Sequence, residues 1–324
     1  MQSFWNKLSR PITVLAPMED VTDTTFRWIL ISWGRPDVFY TEFTSCEGLC
    51  SVGKEAVAHR LEFREEERPI VAQIWGKRPE AYYQSAKMLC EMGFDGIDLN
   101  MGCPVPKIVK GGACAGLIED KALAKEVFLA AREGAGSLPL GVKTRIGFRK
   151  VETEDWIGFL LELDPEVIVV HGRTAKQLYR VPTDWDEIGK AVALKQSMGK
   201  DTLMIGNGDV QSRLEIEEKS ARFGVDGVMV GRAIFHNPFL FNASLGAVHF
   251  KDVPMQQKLD CLMQHLSLFR ERWGERRDLG MMKKFFRVYA SNFEGASELR
   301  AKLMEARSFE EVEREVLQWK MGQR

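Results

Sequence analysis

Cys103 lies in the run Asn100-Met101-Gly102-Cys103-Pro104, bounded by a glycine and a proline. A thiol displayed on such a loop can donate a proton or act as a nucleophile. Cysteine more often fills space in a packed core. A polar loop at the end of an apolar run reverses that expectation here. Cys114, in Gly-Gly-Ala-Cys-Ala-Gly, reads instead as the occupant of a small-residue position.

Other polar residues recur at the ends of apolar runs. Lys143 and Arg145 stand inside 140–147, and His171 and Arg173 close 167–173. Lys143 suits the offset of negative charge on a reduced flavin ring, and His171 a hydrogen bond to the ring or its ribityl chain. Gln73 offers an amide to the edge of a flavin or a base. Asn207, Gly208 and Asp209 follow one run, and Gly231 and Arg232 follow the next. Glycine turns let main-chain N–H groups approach an anion, and a guanidinium adds charge, so this pair reads as a phosphate site. Asn100, Pro17, Met18 and Glu42 complete the set.

Eight short apolar runs must position these groups: 12–18, 38–43, 70–76, 96–102, 140–147, 167–173, 202–209 and 227–233. Continuous apolar runs suit strands buried on both faces. Helix-compatible stretches lie between them, as at 79–92, 119–134 and 211–223. Pro79 and Gly93 give the first of these its start and stop signals. The count predicts an α/β fold, a (β/α)8 TIM barrel, whose active site lies at the strands' C-terminal ends. An open doubly wound sheet would carry a glycine fingerprint after its first strand. Here that strand ends in Ala16-Pro17-Met18.

Beyond residue 245 the strand signal stops. Amphipathic helices are expected at 255–273, 281–290, 296–305 and 308–321, the last with Ser308 and Glu311 spaced as a capping box. The division expected is a barrel over 1–245 and an all-helical domain over 246–324. Within 270–287 seven lysines and arginines stand against three acids. Arg276, Arg277, Lys283, Lys284 and Arg287 carry most of that charge, which suits a phosphate backbone.

The 324 residues carry a formal net charge of −1, which favours no partner class by itself. Six dispersed cysteines form no disulfide framework, and Cys46 and Cys50 lack the second pair that zinc requires, so no metal is expected. The first residues lack a signal-peptide core, and no apolar run spans a bilayer. A cytoplasmic protein without membrane attachment is the expectation, with nothing demanding more than a monomer. Gly111–Gly116 lacks the Gly-Lys-Ser/Thr of a P-loop. Glu65, Glu66 and Glu67 read as a solvated run.

Several segments resemble the bacterial type of the tRNA-dihydrouridine synthase family: APMEDVTDTTFR, QIWG, DLNMGCPVPKIVKGGACAGL, VKTRIG, VHGRT, GNGDV and GVMVGRAIFHNP. They extend from about residue 12 to 240, and the helical tail looks like that family's C-terminal domain. The resemblance implies a barrel that binds FMN, takes electrons from NADPH and reduces uridine in tRNA to dihydrouridine. It implies Cys103 as general acid. It implies Pro17, Met18, Gln73, Lys143, His171, Asn207, Gly208, Asp209, Gly231 and Arg232 as the FMN site. Asn100, Arg145 and Arg173 would face the substrate or the flavin, and the basic cluster would hold tRNA. The chain departs from the family pattern at Glu19-Asp20 and at Cys114, where small residues are usual. Two other readings fit parts of the pattern: an FMN barrel dehydrogenase acting on a free pyrimidine, and a catalytically idle RNA-binding protein.

Overall fold

Short β-branched runs become parallel strands when helices cover their outer face. The computed structural model describes residues 3–244, 250–274 and 277–322. Its strands are β1 (Ile12–Leu15), β2 (Phe39–Tyr40), β3 (Thr44–Ser45), β4 (Ile70–Trp75), β5 (Gly96–Asn100), β6 (Leu140–Arg145), β7 (Val167–His171), β8 (Leu203–Asn207) and β9 (Gly227–Val230). The ladder order is β1-β9-β8-β7-β6-β5-β4-β2, with β3 also on β4, and the pairs are parallel. A parallel bridge from Val14 to Val38 completes the ring, where Leu15 N–H donates to Val38 O at 3.0 Å.

All eight expected runs contain a strand. The second holds only the two-residue β2, and β3 lies just past its end. Between them the Thr41 hydroxyl accepts the Gln73 N–H at 3.1 Å, and the Glu42 carboxylate accepts the Asp20 N–H at 2.6 Å. Side chains there do the bonding that a ladder would otherwise do.

Helices return the chain from strand end to strand start. Helix Pro79–Glu91 begins on proline and is followed by Gly93 at φ +79°. Helix Lys121–Ala135 is capped by Asp120, which accepts the Leu123 N–H at 3.0 Å. These two helices approach closely at Gly134, where a Cβ would lie 2.2 Å from Tyr83 O. The charge run at 65–67 is not uniformly solvated. Glu67 is fully buried, and its carboxylate accepts the Thr24 hydroxyl and, at 3.1 Å, the Arg64 N–H.

The barrel interior is filled by inward residues at every second strand position. Val14, Tyr40, Val71, Val169, Ile205 and Met229 belong to this core, with Trp5 packed among them. Each such side chain contributes about 1.5–3 kcal/mol by leaving water. One step further along the same inward columns come Gln73, His171, Asn207 and Gly231. The pleat that packs the core therefore also delivers the polar groups.

The chain divides into two compact units. The first is Met1–Thr24, Asp37–Val210 and Glu215–Gly231, and holds the strands. The second is Thr25–Pro36, Gln211–Leu214 and Arg232–Arg324. It contains helices Met255–Trp273, Gly280–Tyr289, Ala296–Glu305 and Phe309–Gly322, and most of helix Thr24–Trp33. Within it Phe26 stacks on Phe285 at 5.4 Å, and Trp33 Nε1 donates to Gln264 Oε1 at 2.5 Å. The Glu311 N–H donates to Ser308 Oγ at 3.2 Å and the Glu311 carboxylate accepts the Arg307 N–H at 2.7 Å, which secures the start of the last helix.

Candidate active site

The loop after β5 carries Cys103. Its N–H donates to Asn100 Oδ1 at 2.9 Å, and its carbonyl accepts the Ala115 N–H at 3.2 Å. Arg145, on the adjacent strand β6, donates from Nε to Gly102 O at 2.6 Å and from Nη1 to Thr174 O at 3.2 Å. The thiol is thus held on a pinned turn and is half-buried. Its pKa is pulled down to about 6 by a hydrogen bond from the Cys114 side chain, then, against the effect of burial, by the Val105 backbone and the cations Arg145 and Lys143. Cys114 is fully buried at φ +52°, and burial pushes its own thiol well up.

Lys143 Nζ donates to Asn207 Oδ1 at 3.1 Å, and Asn207 Nδ2 donates to Met229 O at 2.8 Å. Burial and the neighbouring Arg145 lower the lysine to about 8, while Asp98 and Cys103 pull the other way. Gln73 Nε2 donates to Asp98 Oδ2 at 2.7 Å, and Asn100 Nδ2 donates to Gln73 Oε1 at 2.9 Å. His171 is buried and pairs in register with Arg145 on one side and Asn207 on the other.

The glycine turns sit beside these groups. Gly208 has φ +131°, and a Cβ there would meet the Thr183 hydroxyl at 2.6 Å. Gly231 faces Ala16 and Met18: a Cβ would lie 3.5 Å from Ala16 Cβ and 3.7 Å from Met18 Sδ. Pro17 and Met18 are half-buried, and the Met18 N–H donates to Thr22 Oγ1 at 2.9 Å. Asp209 is turned to Arg173, with which it forms an ion pair, and to the Thr183 N–H at 3.1 Å. Arg173 also donates to Val181 O at 2.6 Å, and its Nη1 is buried with no partner among the described residues. Glu19 is held by Arg60 at 2.5 Å.

Arg232 opens the turn Arg232–Phe235 and belongs to the second unit. Among the tail cations, Lys284 and Arg287 line a cleft of about 510 Å³ within that unit, together with Arg300, His236, Phe235 and Ser291. Among the described residues no carboxylate contributes to this lining. Lys283 Nζ is engaged by Met304 O at 2.6 Å, and Arg277 lies over the Trp273 ring at 3.6 Å. Neither lines the cleft. Arg276 lies outside the described residues.

Three features escape the strand-end reading. Asp98 stands two positions before Asn100 on the same inward column, so the period of two would have found it. Cys114 bears on Cys103 across the ten residues 104–113, for which no sequence signal exists. Arg300 and His236 join the basic cleft from segments remote in sequence.

A ring of parallel strands whose C-terminal ends gather an acidified thiol, a depressed lysine and oriented amides defines a barrel enzyme of the α/β class. Residues 14–321 match the family described as Dihydrouridine synthase (Dus), and the chain belongs to that family. It is 42% identical over 314 residues to the "Probable tRNA-dihydrouridine synthase" of Staphylococcus aureus (strain COL), covering 96% of this chain and 94% of that one. The "Probable tRNA-dihydrouridine synthase 2" of Bacillus subtilis (strain 168) is likewise 42% identical, with the same coverage. Among solved structures, morphinone reductase matches with a TM-score of 0.53 at 15% identity, over 76% of this chain and 88% of that one. That last likeness speaks for the fold alone.

Proposed function

We propose that this chain reduces uridines of tRNA to 5,6-dihydrouridine, with FMN held at the barrel mouth and NADPH as the reductant. The observation that carries the reading is Cys103 on a turn after β5 that Asn100 and Arg145 pin in place, in a chain that spans nearly the whole of its relatives.

The residues present fit a flavin mononucleotide. Gly208 and Gly231 follow the adjacent strands β8 and β9, and Arg232 adds charge next to Gly231, which suits the phosphate. Lys143 is half-buried and cationic, which suits negative charge on a reduced ring. Gln73 keeps one amide hydrogen and one lone pair beyond its bonds to Asp98 and Asn100, enough to meet a ring edge. Pro17 and Met18 would pack against the ring, and His171 would bond the ring or its ribityl chain. Asp209 would act through its ion pair with Arg173, shaping the turn that holds the phosphate.

Held here, FMN would supply the hydride taken up at C6 of the uracil ring. Cys103 would deliver the proton to C5. Asn100 holds the Cys103 N–H, and Arg145 holds the Gly102 carbonyl, so the sulfur keeps its aim. The target base leaves its stack to reach this position. Residues 1–245 would supply the chemistry, and 246–324 would grip the folded RNA through Lys284, Arg287 and their neighbours.

The test is Cys103→Ala. The variant should retain bound FMN and lose about 100-fold or more of its tRNA reduction. Unchanged turnover would remove the acid role. Reduction of free uracil as fast as tRNA would point to a free-pyrimidine dehydrogenase instead.

A further inference from the structure

Asp98 is fully buried beneath the barrel mouth, where neighbouring inward positions carry Val167 and Leu203. A carboxylate in such a place opposes folding unless it is bonded. Room for it exists because residue 141 is glycine: a Cβ there would stand 3.1 Å from Asp98 Oδ1. Asp98 Oδ2 accepts Gln73 Nε2 at 2.7 Å, and Gln73 Oε1 accepts Asn100 Nδ2 at 2.9 Å. Asn100 Oδ1 then accepts the N–H groups of Gly102 at 3.1 Å and Cys103 at 2.9 Å. Burial raises the Asp98 carboxyl to about 7, so above that pH it is an ionised group that only accepts, while a main-chain N–H only donates. Between those two ends, the amides of Gln73 and Asn100 have one self-consistent orientation.

We propose that Asp98 is a positioning residue: from below the mouth it sets the polarity of the Gln73 amide that meets the cofactor and, through Asn100, steadies the Gly102–Cys103 backbone. The first half rests on the flavin reading above. The second half is a property of the flavin-free chain.

The relay can be reversed without changing net charge. Asn100→Asp places an acceptor on each side of Gln73, and no amide orientation satisfies both. Adding Asp98→Asn turns the chain around. The new amide at position 98 donates to Gln73 Oε1, and Gln73 Nε2 donates to the new carboxylate at position 100. That carboxylate still accepts the Gly102 and Cys103 N–H groups.

Two quantities are measured: iodoacetamide alkylation of Cys103, resolved by peptide mass spectrometry in flavin-free protein at pH 9, and the FMN dissociation constant. Asn100→Asp should raise the alkylation rate and weaken FMN by about tenfold each. The double variant should return alkylation to within about twofold of wild type while FMN stays weak, because Gln73 now presents the opposite polarity. Asp98→Asn alone can still offer an oxygen to Gln73 and should move either quantity by less than about threefold. If Asn100→Asp does not fold, recovery of folded protein in the double variant reads the same polarity match by thermal melting. A double variant no better than Asn100→Asp would overturn the relay. One that also regains FMN affinity would overturn the role of Gln73 polarity. A wild-type chain that takes up no FMN would sink the functional reading, and the alkylation pair would still decide the relay.

Discussion

At the residue scale, Cys103 presents a conflict of charge. A proton donor must carry its proton, yet Cys114, Val105, Arg145 and Lys143 pull this thiol down to about 6. With a pKa below neutral, the sulfur of the flavin-free chain is mostly anionic at pH 7. Negative charge brought against Lys143 and Arg145 weakens their hold, so the sulfur keeps its proton more firmly when the site is loaded. Alkylation of Cys103 against pH should therefore show a midpoint near 6 without flavin and a higher one with FMN bound. Cys114→Ala removes the largest lowering influence and should move the flavin-free midpoint toward the ordinary thiol value of about 8.5. A midpoint left in place would assign the effect to the Val105 backbone and the cations. Lys143→Met should make the bound flavin harder to reduce, by about 30 mV or more, read by redox titration of its absorbance. Cys103 and Lys143 were readable as chemical groups from the runs that contain them. The thiol pair was not, because the contact is made only when Cys114 takes up φ +52° in the loop that folds back on Cys103.

At the scale of elements, one periodicity serves both packing and chemistry. Val169 and His171, Ile205 and Asn207, and Met229 and Gly231 each lie two apart on one strand. Strand ends could be read from sequence because apolar runs stop where these polar residues begin. The early stop of β2 could not, since it depends on Thr41 and Glu42 taking bonds from Gln73 and Asp20, residues far away in sequence. The closing pair of strands gives a sharp test of the barrel. β1 and β9 pair with Ile12 opposite Gly227, and a Cβ at 227 would lie 2.3 Å from Ile12 O. Such overlap with backbone has no flexible side chain to yield. Gly227→Ala should lower stability by about 1–3 kcal/mol, measured by denaturant unfolding, and should loosen FMN because Gly231 directly follows that strand. A variant as stable as wild type would mean that β1 and β9 do not meet as described.

At the scale of the whole molecule, the two units differ in what they can recognise. The first concentrates a small number of oriented polar groups, suited to a ring and a phosphate. The second gathers Lys284, Arg287 and Arg300 around one cleft, with no balancing acid among the described residues that line it. Removing the tail from residue 250 would be a poor way to separate these roles. Helix Thr24–Trp33 belongs mostly to the second unit, where Phe26 rests on Phe285 and Trp33 bonds Gln264. A truncated chain would expose that helix's apolar face, so lost RNA binding could not be told from lost folding. Sequence alone suggested a clean cut near 245 because the strand pattern ends there, and nothing in residues 24–33 marks their partners as lying past 260. Charge reversal avoids the difficulty. Lys284→Glu with Arg287→Glu leaves the aromatic packing in place and replaces two cations in the cleft. If both meet phosphates, tRNA affinity should fall, and the slope of log affinity against log salt should become shallower by about 2. The FMN content of the purified protein should stay the same. An unchanged salt slope would place the RNA elsewhere, while a loss of flavin would show that the second unit supports the cofactor as well.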